Sequence, residues 1–327
     1  MKKIAIILMI LLVTPIFSKT DSEGGIKQIA VFIPGVMAGS PIYEDLDAGV
    51  RQAAEEHGLG VKTIEGGFDA ASWPEKIKEI SATGMYDLIV SSNPSMPQIM
   101  LEVSESFPTQ KFLCLDGNIE GSKNIYTAEY KQFDQAYMAG YLAGLITLSK
   151  LEGANPDKKV GLIVAYHYPV LDNVLIPGFK KGLADVDKDI TVDLRVVGNW
   201  WDATKASELT SIMINEGVDV FLSISGGATQ GVISKAQDMG KYIIHFDSNG
   251  YNKAPGTILG STVIKQKQLT YKLVTDFING DLIFGNADQF SARDGYIDFI
   301  QDDPLYQKYV PQDIKDKMSK VVENIKK

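Results

Sequence analysis

Along most of this chain, short apolar runs alternate with longer segments in which apolar positions recur at helical spacing. The runs at 28–34, 61–65, 87–92, 111–116, 160–165, 191–197, 219–225, 242–247 and 258–264 predict strands. Helical spacing over 41–57, 73–82, 97–106, 132–149, 169–184, 203–216, 229–239 and 268–279 predicts the helices between them, and Val310-Pro311 introduces a last one to about residue 325. Strand and helix in alternation are the pattern of parallel sheets with helices on both faces.

The pattern is also repeated. Gly67-Phe68-Asp69-Ala70, Asp87 to Asn93 and Lys111 to Asp116 return in the same order as Trp200-Trp201-Asp202-Ala203, Asp219 to Ser225 and Tyr242 to Asp247. The spacings differ by about one residue, which predicts two similar α/β halves. Strand, turn and helix recur in any doubly wound fold, so a shared architecture alone would also produce part of this likeness. Two halves imply a cleft, and parallel sheets present ligand-binding groups at the carboxyl ends of their strands. The equivalent Asp116 and Asp247 would face each other there.

The polar, Gly/Pro-containing stretch 151–158 predicts the crossing between halves. The expected division is a signal peptide at 1–20, a first domain at 26–150 completed by a returning segment at about 255–327, and a second domain at 151–254, extended by part of 265–300. The last helix is expected to pack on the first sheet.

Lys2-Lys3 followed by the apolar stretch 4–17 has the basic start and short hydrophobic core of an export signal. It is short for a permanent membrane span. The expected location is therefore outside the cytoplasmic membrane, periplasmic or membrane-associated. No lipobox cysteine follows the stretch, since the single cysteine, Cys114, falls inside a predicted strand and reads as a core residue. A net charge of −9 argues against a nucleic-acid partner, which calls for clustered Lys and Arg.

Catalytic and metal signatures are scarce. His57, His167 and His245 lack metal-ligand spacing, no phosphate-binding glycine motif occurs, and Gly226-Gly227-Ala228-Thr229 reads as a small-residue turn opening a helix. The expectation is no enzyme, no catalytic residue, no metal and no cofactor. What the strand ends carry is rings: Tyr43, Phe68, Trp73, Tyr166, Tyr168, Trp200 and Trp201 lie in or beside predicted strand-to-helix turns, where exposed rings call for a covering partner. A flat heterocycle stacked between rings fits that need. Trp73 reads instead as the start of a helix on its own domain. Asn93, Asp116, Ser225, Asp247 and Asn249 add hydrogen-bonding groups, with Lys265 near the same cleft. Each aspartate has the alternative role of helix N-cap.

These residues resemble the PnrA-like, or basic membrane protein, family of substrate-binding proteins for ABC importers. The likeness runs over the mature chain through Lys111 to Gly117, Gln135 to Gly144, Lys159 to Ile163, Gly198 to Lys205, Phe246 to Asn249 and Val310-Pro311. It implies a type I periplasmic-binding fold, two doubly wound parallel-sheet domains joined by a hinge, with an ABC permease in the cytoplasmic membrane as partner and a monomeric state. In nucleoside-binding members the base is stacked between rings and held by aspartates, which map onto Trp200, Asp116, Asp247, Asn93 and Lys265. The Asp-x-Ser-Phe-Asn segment of those members is replaced here by Gly35 to Asp45, which leaves Tyr43 as the nearby ring. Gly39-Ser40-Pro41 followed by Tyr43, and Ser91 to Ser95, are instead similar to riboflavin-binding members of the RfuA type. The resemblance thus implies riboflavin as transported ligand, and with the strand-end groups the expected site is Tyr43, Asn93, Asp116, Tyr166, Trp200, Trp201, Ser225, Asp247, Asn249 and Lys265. A purine nucleoside is the alternative ligand, and a ligand-sensing domain for a membrane receptor is the alternative role.

Overall fold

The computed structural model describes residues 27–327. The predicted signal at 1–20 lies outside the described residues. The rest forms two six-stranded sheets. The first orders its strands β11-β5-β4-β3-β1-β2: β1 (Gln28–Ile33), β2 (Gly60–Glu65), β3 (Leu88–Ser92), β4 (Lys111–Leu115), β5 (Ile125–Tyr130) and β11 (Ala287–Phe290), all parallel. The second orders β12-β10-β9-β8-β6-β7: β6 (Lys159–Val164), β7 (Thr191–Val196), β8 (Val218–Ile224), β9 (Tyr242–His245), β10 (Ile258–Ile264) and β12 (Ile297–Phe299). Only β12 runs antiparallel.

Burial follows strand position. Central β3 and β8 are covered on both faces and read as unbroken buried runs, whereas edge strands β2 and β7 keep one side partly in water. The helices are α1 (Pro41–Glu56), α2 (Trp73–Ala82), α3 (Met96–Ser106), α4 (Gln132–Thr147), α5 (Ile176–Val186), α6 (Ala203–Asn215), α7 (Thr229–Asp238), α8 (Gln266–Asn279), α9 (Pro304–Tyr309) and α10 (Gln312–Ile325). Two doubly wound, parallel-dominated α/β domains are thus the architecture, in agreement with the expected fold class.

The chain passes between sheets at other places than the sequence suggested. β5 belongs to the first sheet, but the next helix, α4, packs on α5, on α10 and on the second sheet. That is why α4 is apolar on nearly every side: it is enclosed all round, and a one-sided stripe would leave polar groups buried. The polar stretch 151–158 is a turn within the second lobe, pinned where Asn155 N donates to the Asp219 carboxylate at 2.8 Å and Asn155 Nδ2 to the Gly217 carbonyl at 3.0 Å. The segment 258–264, expected back on the first sheet, pairs as β10 with β9 in the second. The chain returns to the first lobe only with α8, which packs on α1, and with β11. β12 then rejoins the second sheet, and α10 packs on α4, not on the first sheet.

Each lobe closes one helix pair at backbone distance. A Cβ on Gly140 of α4 would stand 2.1 Å from the Phe179 carbonyl oxygen of α5, and one on Gly49 of α1 2.6 Å from the Lys267 carbonyl of α8. Glycine is what permits both crossings. Strands β5, β11 and β12 escaped the sequence pattern: β5 runs almost directly into α4, and β11 and β12 are only four and three residues long.

Candidate functional site

The site grows from the two equivalent strand ends. Asp116 follows β4 and Asp247 follows β9, and both have left-handed backbone, φ 54° and 70°. Among the described residues Lys158 is the only other non-glycine with positive φ. Aspartate tolerates this conformation at a cost, and such strain concentrates at functional turns. The helix-capping alternative is taken by a different pair in the repeat: Asp69 accepts from Ala71 N at 3.2 Å and Asp202 from Lys205 N at 2.9 Å.

The Asp116 carboxyl feels the charge of Asp247. Burial, then the charge of Asp247, then that of Glu129 push the Asp116 carboxyl up to about 8. Burial lifts Asp247 to about 6, opposed by the amide of Gln135, whose Nε2 donates to Asp247 Oδ1 at 2.9 Å. Tyr43 stands on the Asp116 side. Its hydroxyl donates to the Pro34 carbonyl at 3.1 Å, and burial pushes it up to about 12, against the opposing effect of the Asn93 side chain. Asn93 itself accepts from Ser95 N at 2.9 Å. Burial, then the charges of Asp116, Asp247 and Asp172, raise the Tyr168 hydroxyl.

From Tyr168 the site continues into rings. Trp200 lies 6.1 Å from Tyr168 and 6.1 Å from Tyr166, centroid to centroid. The turn Gly226-Gly227-Ala228, superficially like a phosphate loop, makes room for it: a Cβ on Gly226 would be 3.3 Å from the indole, and Ala228 N donates to the Trp200 carbonyl at 3.1 Å. Asn199 Oδ1 shapes the same loop by accepting from Trp201 N at 3.0 Å and Asp202 N at 2.7 Å. Trp201 reaches across to the first lobe and meets Phe68, its counterpart in the repeat, at 4.8 Å. These two rings are 53% and 59% exposed, so they form a rim. Trp73 starts α2 and holds the Gly67 carbonyl through Nε1 at 3.0 Å, in support of the Phe68 turn.

On the other flank of Asp247 a cavity of about 620 Å³ opens between the start of α1 and the ends of β9, β10 and β12. Glu44 and Asp45 line it from the first lobe, and Asp247, Asn249, Lys265 and Asp298 from the opposite wall. Lys265 pairs with Asp298 at 3.2 Å, and Asn249 Nδ2 donates to Asp303 at 2.9 Å, so both side chains are already engaged.

Of the residues singled out from the sequence, Tyr43, Asn93, Asp116 and Asp247 thus gather at the strand ends. Tyr166 and Trp200 continue from them, Trp201 lies at the rim, and Asn249 and Lys265 line the cavity. Ser225 does not join them. It is fully buried, its hydroxyl 2.8 Å from Ser223 Oγ and 3.2 Å from Thr229 Oγ1. Gln135, Asp45 and Asp298 were missed. Gln135 did leave a signal: it is a polar position fully buried in a helix that is otherwise almost wholly apolar.

The sequence pattern of the family described as ABC transporter substrate-binding protein, PnrA-like, matches residues 26–327. The chain belongs to this family. Over 323 residues it is 22% identical to basic membrane protein B of Borreliella afzelii, covering 90% of this chain and 87% of that one. It is 28% identical over 156 residues to a CD4+ T-cell-stimulating antigen of Listeria monocytogenes, and 27% over 152 residues to the ABC transporter nucleoside-binding protein BmpA of Lactococcus lactis. These two matches cover 48% and 46% of this chain but only 41% of either relative, less than half its length. Among solved structures, an ABC transporter solute-binding protein from Aeropyrum pernix shares the fold at TM-score 0.77 and 19% identity, covering 91% of this chain and 85% of that one.

Proposed function

We propose that this PnrA-like protein captures riboflavin outside the cytoplasmic membrane and delivers it to an ABC permease. The observation that carries the reading is the ring cluster Tyr166, Tyr168 and Trp200 in the second lobe, with Tyr43 beside Asn93 in the first. A tricyclic flavin offers more stacking area than a purine, and aromatic stacking contributes about 1–3 kcal/mol per ring. The polar flank at Asn249, Lys265 and Asp298 suits a hydroxylated arm. The likeness of Gly39-Ser40-Pro41 and Tyr43 to the riboflavin-binding branch points the same way.

A purine nucleoside is the second reading, favoured by the Lactococcus relative described as nucleoside-binding. The deciding experiment is the absorbance spectrum of the purified protein followed by titration of flavin fluorescence. A co-purifying flavin band with quenched emission supports riboflavin. A colourless protein that leaves flavin emission unchanged, yet gains thermal stability with inosine or guanosine, transfers the assignment to nucleosides.

A further inference from the structure

Among the described residues the chain crosses between the lobes three times, and two of these crossings are single residues. Lys131 alone separates β5 of the first sheet from α4 on the second lobe, and Lys265 alone separates β10 of the second sheet from α8 on the first lobe. Each is followed by a glutamine, and the two take nearly the same backbone conformation, φ −74°, ψ 64° and φ −89°, ψ 62°. Both stand at a helix N-cap with no side-chain cap. A lysine there offers no acceptor to the free helix N–H groups and sets a positive charge against the helix dipole, where Ser, Asp or Asn would stabilise the joint and stiffen it. The third crossing ties the two lysines together. Lys131 N donates to the Phe290 carbonyl and Lys265 N to the Tyr296 carbonyl, each at 2.8 Å. The turn between these carbonyls is closed by Ser291, whose N and Oγ donate to Asp294 at 2.8 and 2.6 Å, and by the rings of Phe290 and Tyr296, edge to face at 5.2 Å.

The first-lobe sides of the two joints are locked to each other. Gln266, the first residue of α8, is fully buried; its Nε2 donates to Ser92 Oγ at 2.8 Å, and its Oε1 accepts from the Tyr130 hydroxyl at 2.6 Å. Ser92 ends β3 and Tyr130 ends β5. This one amide therefore binds the residue after one lysine to the residue before the other, and both to the central strand that leads into Asn93. One position earlier, Lys265 Nζ is held at 3.2 Å by Asp298 of the second lobe. Neighbouring residues are thus anchored to opposite lobes, and rotation between the lobes falls on the dihedrals of the lysines. We infer that Lys131 and Lys265 are paired pivots on which the lobes turn, strapped together by 290–296, and that Gln266 is the positioning residue that holds both against the first sheet. The inference rests on the proposed function only in that capture closes the two lobes; the identity of the solute does not enter.

The test reads the distance between the lobes of the ligand-free protein by double electron-electron resonance. Spin labels are placed through Glu79→Cys on α2 and Glu208→Cys on α6, exposed positions on opposite lobes, while the buried Cys114 is out of reach of the label. Gln266→Leu is expected to shift or broaden the distance distribution by more than about 2 Å, the scale of hinge rearrangements. Thr147→Val, which removes a buried side-chain hydrogen bond to Asp219 within the second lobe, is expected to leave the distribution unchanged. A Gln266→Leu distribution identical to wild type, or an equal change in both variants, overturns the role of Gln266, since its amide would then only stabilise the packing around it. Should Gln266→Leu fail to fold, Tyr130→Phe, which removes a single hydroxyl, is read by the same criteria. The pivots are tested with glycine, which frees the backbone, against alanine, which does not. Lys131→Gly and Lys265→Gly are expected to broaden the distribution relative to Lys131→Ala and Lys265→Ala, and matching widths within both pairs overturn the assignment of the pivots. None of these readings needs a solute, so a failure to bind riboflavin refutes the riboflavin reading alone.

Discussion

The two lobes present the same aspartate at the same strand end and in the same strained backbone, yet they provide for it differently. Asp247 has Gln135 as a donor, and its carboxyl rises only to about 6. Asp116 faces burial and the charge of Asp247, and rises to about 8. The rings are just as unequal: Tyr166, Tyr168 and Trp200 gather in the second lobe, while Tyr43 and the rim residue Phe68 come from the first. A duplicated framework has thus kept its geometry and divided its chemistry. In the proposed reading the second lobe holds the solute and the first closes over it.

The sharpest way to break this comparison is to strip the second lobe of its central ring. Trp200→Ala is expected to weaken solute binding by about 10- to 100-fold, the equivalent of one lost stacking platform, with little change in melting temperature because Trp200 is 37% exposed. Tyr43→Ala in the first lobe should cost less. Equal losses, or none at Trp200, would remove the second lobe's claim to prior binding.

Asp247→Ala follows, at about tenfold or more, because it removes an acceptor and also frees the Gln135 amide. Titration of the variant alongside Trp200→Ala checks it, and unchanged affinity in both would sink the assigned site.

The unequal carboxyls also predict an unequal pH response. Both are raised above the unfolded carboxylate value of about 4. Between that value and their folded values the native state binds more protons than the unfolded chain, so stability falls as pH rises. The loss runs to about pH 6 for Asp247 and continues to about pH 8 for Asp116. Asp116→Asn should therefore raise the melting temperature of the ligand-free protein at pH 8, by about 2–4 °C for each kcal/mol relieved. It should do little at pH 4, and more at pH 8 than Asp247→Asn. Thermal melts of the three proteins across that range measure it. A larger gain from Asp247→Asn would reverse the ranking of the two sites.

Much of this was legible in the sequence. The strand-and-helix alternation, the internal repeat and the pairing of Asp116 with Asp247 followed from apolar periodicity and from residues recurring in order. The crossings did not follow, because a parallel sheet tolerates a helix on either lobe after the same strand. Nothing local in β5 announces that α4 leaves with the other sheet. The commitment of Lys265 to Asp298 and of Asn249 to Asp303 was equally hidden, since both partners lie in segments that carry no motif. Ser225 looked like a strand-end hydroxyl and turned inward because Ser223 and Thr229 satisfy it there. Gln135 was visible as a polar residue in an apolar helix, but only the position of Asp247 gives that oddity a meaning.

The smallest expected effect lies at the rim, where the repeat places Phe68 and Trp201 opposite each other at 4.8 Å and 39° between ring planes. Aromatic pairs of this kind contribute about 0.5–1.5 kcal/mol beyond area burial. Here the contact joins one lobe to the other, so in the proposed role it acts on the closing of the lobes. Phe68→Ala and Trp201→Ala should each weaken binding by about two- to tenfold, mainly through faster solute release, because the rings close behind the solute. The double variant should be no weaker than either single one, since the second truncation removes a contact already lost. Stopped-flow release rates for the four proteins form the cycle. Additive losses would mean that each ring touches the solute independently, and the rim would then belong to the binding surface of both lobes and cease to be a latch between them.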